Sequence, residues 1–289
     1  QRTRCFQRRR QIVGKLAGPA EHLAELGDFD AARQRIDEAL DRFPLVPRLW
    51  LDKAHIFELQ GDGEREQEAL THALQLAPHW SLTLRRLADS WERSGRYDRS
   101  RDLLHAAVLH DPLDPALRGY LARVLWRLGE QDDAVAHIEE ALRLSCDYPW
   151  AWDQLAQWSQ VRGEKDRCLH LAQELVKSRP GDSQAWLSLA RHLDGGPQFN
   201  HAILSAIALD PRRTEPYELK IERFVQAKRF DEALQAARAQ DWPGGAPVEL
   251  RIWVPWVLRA KGEGENALRE LEALLVQEPR YYPGWRLIA

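Results

Sequence analysis

The sequence predicts an all-α fold, a solenoid of antiparallel helix hairpins built from about eight units of 34 residues. Three observations predict it. Ser81 to Asp114 carries two apolar stripes at helical spacing, Leu84/Leu87/Ala88/Trp91 and Leu103/Leu104/Ala107/Val108, on either side of a Gly95-Arg96-Tyr97-Asp98 turn. The same pattern recurs at a fixed offset from Val13 to Asp182. Alanine returns at the eighth place of six consecutive units, as Ala20, Ala54, Ala88, Ala122, Ala156 and Ala190. Where two helix axes approach closely there is no room for a larger side chain, so this series marks the contact between the helices of each hairpin.

The elements follow in order. Residues 1–12 hold an Arg-rich stretch, QRTRCFQRRR, read as a solvated lead-in or a basic arm. Residues 13–247 are seven repeats. The first, from Val13, has a weak opening helix because Gly14, Gly18 and Pro19 lower its propensity, and a regular second half with Phe29, Ala32, Ile36, Ala39 and Pro44. The second to fifth open at Pro47, Ser81, Pro115 and Pro149, and glycine recurs at their central turns, as Gly61, Gly95, Gly129 and Gly163. A glycine there accepts the positive φ that ends a helix, and a proline near the repeat boundary stops one helix and starts the next.

The later units depart from the pattern. Repeat six, Ser183 to Arg213, is three residues short, its turn compressed at Asp194-Gly195-Gly196-Pro197. Repeat seven has its second helix cut short by Asp241-Trp-Pro-Gly-Gly-Ala-Pro247. Residues 248–289 are repeat eight and the truncated start of a ninth. Pro255 takes the alanine place of repeat eight, so a kink or a late helix start is expected there. The ninth opens at Tyr282 and stops mid-helix; with methionine absent throughout, the sequence reads as a piece of a longer protein.

The small residue at the eighth place, the glycine turn and the terminal proline together resemble the 34-residue tetratricopeptide repeat. The resemblance implies a right-handed superhelical solenoid whose first helices line a concave groove, and a function in binding protein partners. It also implies that the second, fifth, ninth and twelfth places of each first helix face that groove.

Composition narrows the classes. The net charge of −3 supplies no general attraction to nucleic acid or anionic lipid. No apolar run is long enough to span a membrane, and the default compartment is cytoplasmic. Arg exceeds Lys strongly, the usage of a GC-rich bacterial genome. Cys5, Cys146 and Cys168 have neither disulfide pairing nor metal-ligand spacing, and Cys146 and Cys168 take packing places of the repeat. No metal or nucleophile motif and no phosphate loop stands out, so no cofactor, metal or catalytic residue is assigned. Gly61-Asp-Gly63 and Gly262-Glu-Gly264 fall in hairpin turns, which turn geometry explains.

The implied groove places yield the candidate ligand-binding residues Arg85, Asp89, Arg123, Trp126, Trp150, Asp153, Gln157 and Arg191. Trp126 and Trp150 lie outside the motif's own aromatic place, which Trp50, Trp152, Trp186 and Trp285 occupy as expected core. Exposed tryptophan suits an interaction anchor, with packing between repeats as the plainer explanation. The arginines suit carboxylates or phosphates, or ion pairs with neighbouring acids. The Lys and Asn pattern by which chaperone-binding members grip a chain terminus is missing from these places.

The reading is a non-catalytic protein–protein interaction scaffold that binds a peptide or partner domain. Two alternatives stay open: a targeting solenoid of a larger enzyme, and single-stranded RNA binding by analogy with related helical-hairpin repeats. Prenyltransferase α-subunits, also helical hairpins with recurrent Trp, fit the 34-residue spacing less well.

Overall fold

A computed structural model describes residues 20–238 and 245–281. The described residues are helices and turns with no strand, falling into two compact units. The first runs to Ser145 and takes in Asp153–Leu155; the second holds Cys146–Trp152 and continues from Ala156. The Arg-rich lead-in, the glycines of the first opening helix, residues 239–244 and the start of the ninth repeat lie outside the described residues.

In the first unit, a helical stretch over 20–25 precedes α1 (Phe29–Arg42), α2 (Pro47–Gln60), α3 (Gly63–Leu76), α4 (Ser81–Arg93), α5 (Tyr97–His110), α6 (Pro115–Leu128) and α7 (Gln131–Leu144). The hairpins α2/α3, α4/α5 and α6/α7 pack internally and stack in sequence, α1 on α2, α3 on α4 and α5 on α6. Ala32, Ile36, Leu49 and Ile56 centre one core cluster; Ala54, Phe57, Leu70 and Leu87 centre the next. Proline at the first turn of α2 and α6 meets no missing partner, since that N–H has none in a helix. Aspartate caps do the same work chemically: Asp62 accepts from the Arg65 amide at 3.1 Å, and Asp114 from the Ala116 and Leu117 amides at 2.8 and 3.1 Å.

The second unit holds most of α8 (Pro149–Arg162), then α9 (Arg167–Ser178), α10 (Ser183–Arg191), α11 (Gly196–Leu209), α12 (Glu215–Gln226), α13 (Phe230–Ala237), α14 (Val248–Arg251), α15 (Trp253–Lys261) and α16 (Gly264–Gln277). Its hairpins are α10/α11, α12/α13 and α15/α16. The short sixth repeat is a genuinely tight hairpin, because α10 has only nine residues and α11 begins at Gly196. As expected, α13 is cut to eight residues. The expected break at Pro255 also appears: α14 stops at Arg251 and α15 starts at Trp253, since Pro255 has no N–H to give the Arg251 carbonyl.

Each regular hairpin turn closes the same way. Gly61 has φ +75° and donates to the Glu58 carbonyl, and the Asp62 amide then reaches back to Phe57 at 3.0 Å. In the α12/α13 turn the left-handed position is held by Lys228, φ +58°, with the same bonds from Lys228 to Val225 and from Arg229 to Phe224.

The alanine series is buried at Ala20, Ala54, Ala88, Ala122 and Ala190. Ala156 is the exception and is exposed. It belongs to the repeat whose second helix begins two residues late, at Arg167, and carries Cys168 where the period places alanine. The motif's aromatic place is also corrected. Trp152 is core, but Trp50 and Trp186 are only half-buried; each gives its indole N–H to a carbonyl six residues earlier, Trp50 to Pro44 at 2.9 Å and Trp186 to Pro180 at 2.8 Å. Trp152 makes the same bond to Cys146 at 3.0 Å, and Arg118 Nε makes it to Pro112 at 2.9 Å. Trp285 lies outside the described residues.

Candidate functional site

The first helices α4 and α6 of the first unit bring three of the candidate residues together. Arg85 and Asp89 are one turn apart on α4, and Arg123 reaches them from α6. One guanidinium nitrogen of Arg123 serves both Asp89 and Glu92, the latter at 2.7 Å. Tyr120 on α6 completes the group. The Arg123 guanidinium lies 4.6 Å from its ring centre, and the Arg85 guanidinium 5.5 Å. The Asp89 carboxylate acts on the Tyr120 phenol through its charge.

The electrostatics follow from partial burial. Arg123, Asp89 and Glu92 are 29, 25 and 13% exposed. Burial works against the Arg123 charge, but its bonds to Glu92 and Asp89 outweigh that and hold it above the usual arginine range. For Glu92 burial is the stronger influence and lifts the carboxyl above its usual value despite Arg123. Burial, reinforced by the Asp89 charge, raises the Tyr120 phenol as well. The arrangement is a fixed polar and aromatic surface with its opposite charges matched.

Arg85 differs from its neighbours. Among the described residues it has no hydrogen-bonded or ion-paired partner, and its Nε is shut off from water without an acceptor. Asp89, the natural i+4 partner, is bonded to Arg123.

A second polar group links α2, α3 and α4. Glu58 on α2 meets Arg86 at 2.6 Å and Arg93 at 3.3 Å. Arg93 also reaches Glu66 on α3 at 2.6 Å. His55 stands 3.0 Å from Glu58; burial works to raise the Glu58 carboxyl, but the His55, Arg86 and Arg93 contacts outweigh it and leave it below its usual value.

The other candidates stand apart from this cluster. Trp126 is half-buried on α6, one turn past Arg123. Trp150, half-buried near the start of α8, packs at 5.7 Å against Tyr148. Asp153, Gln157 and Arg191 are exposed. Several implied groove places point into protein instead: Leu51, Gln184 and Leu187 are buried. Gln184 gives its amide to Asp147 at 3.2 Å. Tyr120 was absent from the expected set because it lies at the sixth place of its helix. The available signal was that this place is polar in three successive repeats, as Asp52, Arg86 and Tyr120, where an inward-packed position would be apolar.

Fold and site together define a helical-hairpin repeat array with a structured polar face on its first helices. The family model Tetratricopeptide repeat matches residues 20–79 and 85–149, and over these residues the chain is a tetratricopeptide repeat array. Similar solved structures include MamA, at 18% identity over 58% of this chain and 94% of that one with a TM-score of 0.39. Yeast Tom70 is similar at 16% identity over 85% of this chain and 54% of that one, TM-score 0.48. The C-terminal part of a TPR repeat-containing protein from Cytophaga hutchinsonii is similar at 15% identity over 93% and 98%, TM-score 0.45. No curated protein matches the chain. Among the described residues no helix is long and apolar enough to cross a membrane, and no cluster has metal-binding geometry.

Proposed function

We propose that the chain is a non-catalytic interaction scaffold that seats a peptide or partner domain on the first-helix face formed by α4 and α6. The observation that carries this reading is the Arg85–Tyr120–Arg123 cluster. Its side chains are already fixed by ring stacking and by Asp89 and Glu92, so a partner meets an ordered surface and less rotamer entropy is lost on binding. Trp126 beside it supplies an amphipathic anchor of the kind that dominates binding energy. The division into a lead-in over 1–12, repeats over 13–247 and repeat eight with the start of a ninth over 248–289 belongs to the same proposal. A cytoplasmic setting belongs to the same proposal; Cys146 and Cys168 are buried thiols outside any disulfide.

The test is a photo-crosslinking side chain placed at Leu82, on the α4 face, and separately at Arg99 on α5. Capture of a protein from the source lysate at Leu82, lost on Trp126→Ala with helicity unchanged and not seen at Arg99, supports the reading. Equal capture at both places, or a product removed by ribonuclease, overturns it.

A further inference from the structure

We infer that Arg85, held on Tyr120, is the anchoring point for an acidic side chain within an extended partner segment. The inference rests on the scaffold reading and adds the chemistry of what is bound. Along the first-helix face of the first unit the charges are matched internally: Arg48 by Asp52 and Glu21, Glu58 by Arg86 and Arg93, Asp89 and Glu92 by Arg123. Arg85 is left over. It is half-buried and its Nε is sealed without an acceptor, so part of its hydration is already lost and no carboxylate replaces it. A partly desolvated, unpaired cation is the group on a surface that gains most from an incoming anion.

Two features select a carboxylate. The guanidinium is planar and its carbon lies 5.5 Å from the Tyr120 ring centre, so its terminal N–H groups form a fork that matches two carboxylate oxygens. Asp89 and Glu92 stand in the same cluster, and their negative charge tolerates one incoming charge better than the two of a phosphate. A further feature favours an extended segment. On the adjoining α6 the second place is the half-buried Ala116, so no long side chain rises there to hold a partner backbone away. The site has a single guanidinium on an aromatic ring, and the bound group is the side chain of an internal residue, not a chain terminus.

The experiment is a titration of the parent chain, followed through the arginine Nε–Hε NMR signals. The probes are acetyl-Ala-Glu-Ala-Glu-Ala-amide, its Gln counterpart, acetyl-pentaalanine whose only charge is its free C-terminal carboxylate, and inorganic phosphate. The expected result is a saturable shift of the Arg85 signal by the Glu peptide, at least tenfold weaker for the Gln peptide, and lost in Arg85→Gln. Equal response to Glu and Gln peptides, no response at Arg85, or tighter binding of phosphate or the free terminus overturns the assignment. Undiminished crosslinking from Leu82 in Arg85→Gln overturns it too, and leaves the scaffold reading standing; loss of all crosslinking from the parent removes the scaffold reading itself.

Discussion

Ser90 donates its hydroxyl proton to the buried carboxylate of Glu66, 2.8 Å away across the contact between α4 and α3. Glu66 occupies the place that Ala32 and Ala134 fill in neighbouring repeats, and it is 3% exposed. Arg93, about half-exposed, supplies the compensating charge at 2.6 Å. Arg93→Met leaves that carboxylate buried and unpaired and is expected to destabilise the first unit by about 2 kcal/mol. This is below the range for a fully enclosed pair because solvent screens Arg93. Glu66→Ala with Arg93→Met is expected to recover most of the loss. Urea unfolding of the parent, the single and the double variant decides it; a neutral Arg93→Met would show that Glu66 is sustained by Ser90 alone.

The buried alanine series makes a contrast within one chain. Ala88→Leu and Ala122→Leu fill positions with no free space and are each expected to cost about 1–3 kcal/mol. Ala156→Leu, at an exposed position, is expected to stay within about 0.5 kcal/mol of the parent. Thermal unfolding of the three variants checks the helix-to-helix register directly, and equal effects at all three would refute it.

Lys228 stands in the left-handed conformation that glycine holds in the other regular turns. Lys228→Gly relieves the contact between Cβ and the carbonyl and is expected to stabilise the α12/α13 hairpin by about 1 kcal/mol. Gly129→Ala, at φ +85° with open space around it, is expected to lose about as much. Hydrogen exchange of the amides that close each turn, Arg229 and Glu130, should slow in the first variant and quicken in the second.

His192 lies against Trp152 at 4.7 Å. Burial, with the neighbouring Arg191 charge, pushes its imidazole down to about 4. The unfolded chain takes up that proton near pH 6.5. Stability from this residue is therefore complete above about pH 6.5 and is lost progressively as the pH falls toward 4. His192→Phe should flatten that stretch of the stability profile. An NMR titration of the ring gives the independent check, and a midpoint near 6.5 would contradict the assignment.

Most of the architecture was readable because the period is redundant: alanine, glycine and proline mark each unit independently, and a departure such as Pro255 broke the helix where its missing N–H required. The misreadings share one cause, the treatment of a repeat place as purely apolar or purely exposed. Trp50, Trp152 and Trp186 all give the indole N–H to a carbonyl six residues earlier, yet only Trp152 is buried, so the repeat place alone does not fix burial. Gln184 is a groove place by spacing, yet Asp147 holds it inside. Glu66 was invisible because nothing local to α3 discloses that Arg93 and Ser90, some 24 to 27 residues later, will meet it. For the candidate site, Arg85, Asp89 and Arg123 come from the groove places that the resemblance implies; Tyr120, whose ring lies near both arginines, was not among them.

The second helices of the later repeats begin at Gly196, Phe230 and Gly264, the same 34-residue step as Phe29, Gly63, Tyr97 and Gln131, although three residues are missing from the unit between Ser183 and Arg213. In one continuous helix such a loss would rotate every later side chain by about a sixth of a turn. Here the shortened α10 and its turn absorb it, and the phase is restored within a single hairpin. The chain is thus written in self-correcting segments: a copying error in length stays local, and whole segments become the units that evolution or an engineer can remove or duplicate without rewriting the rest.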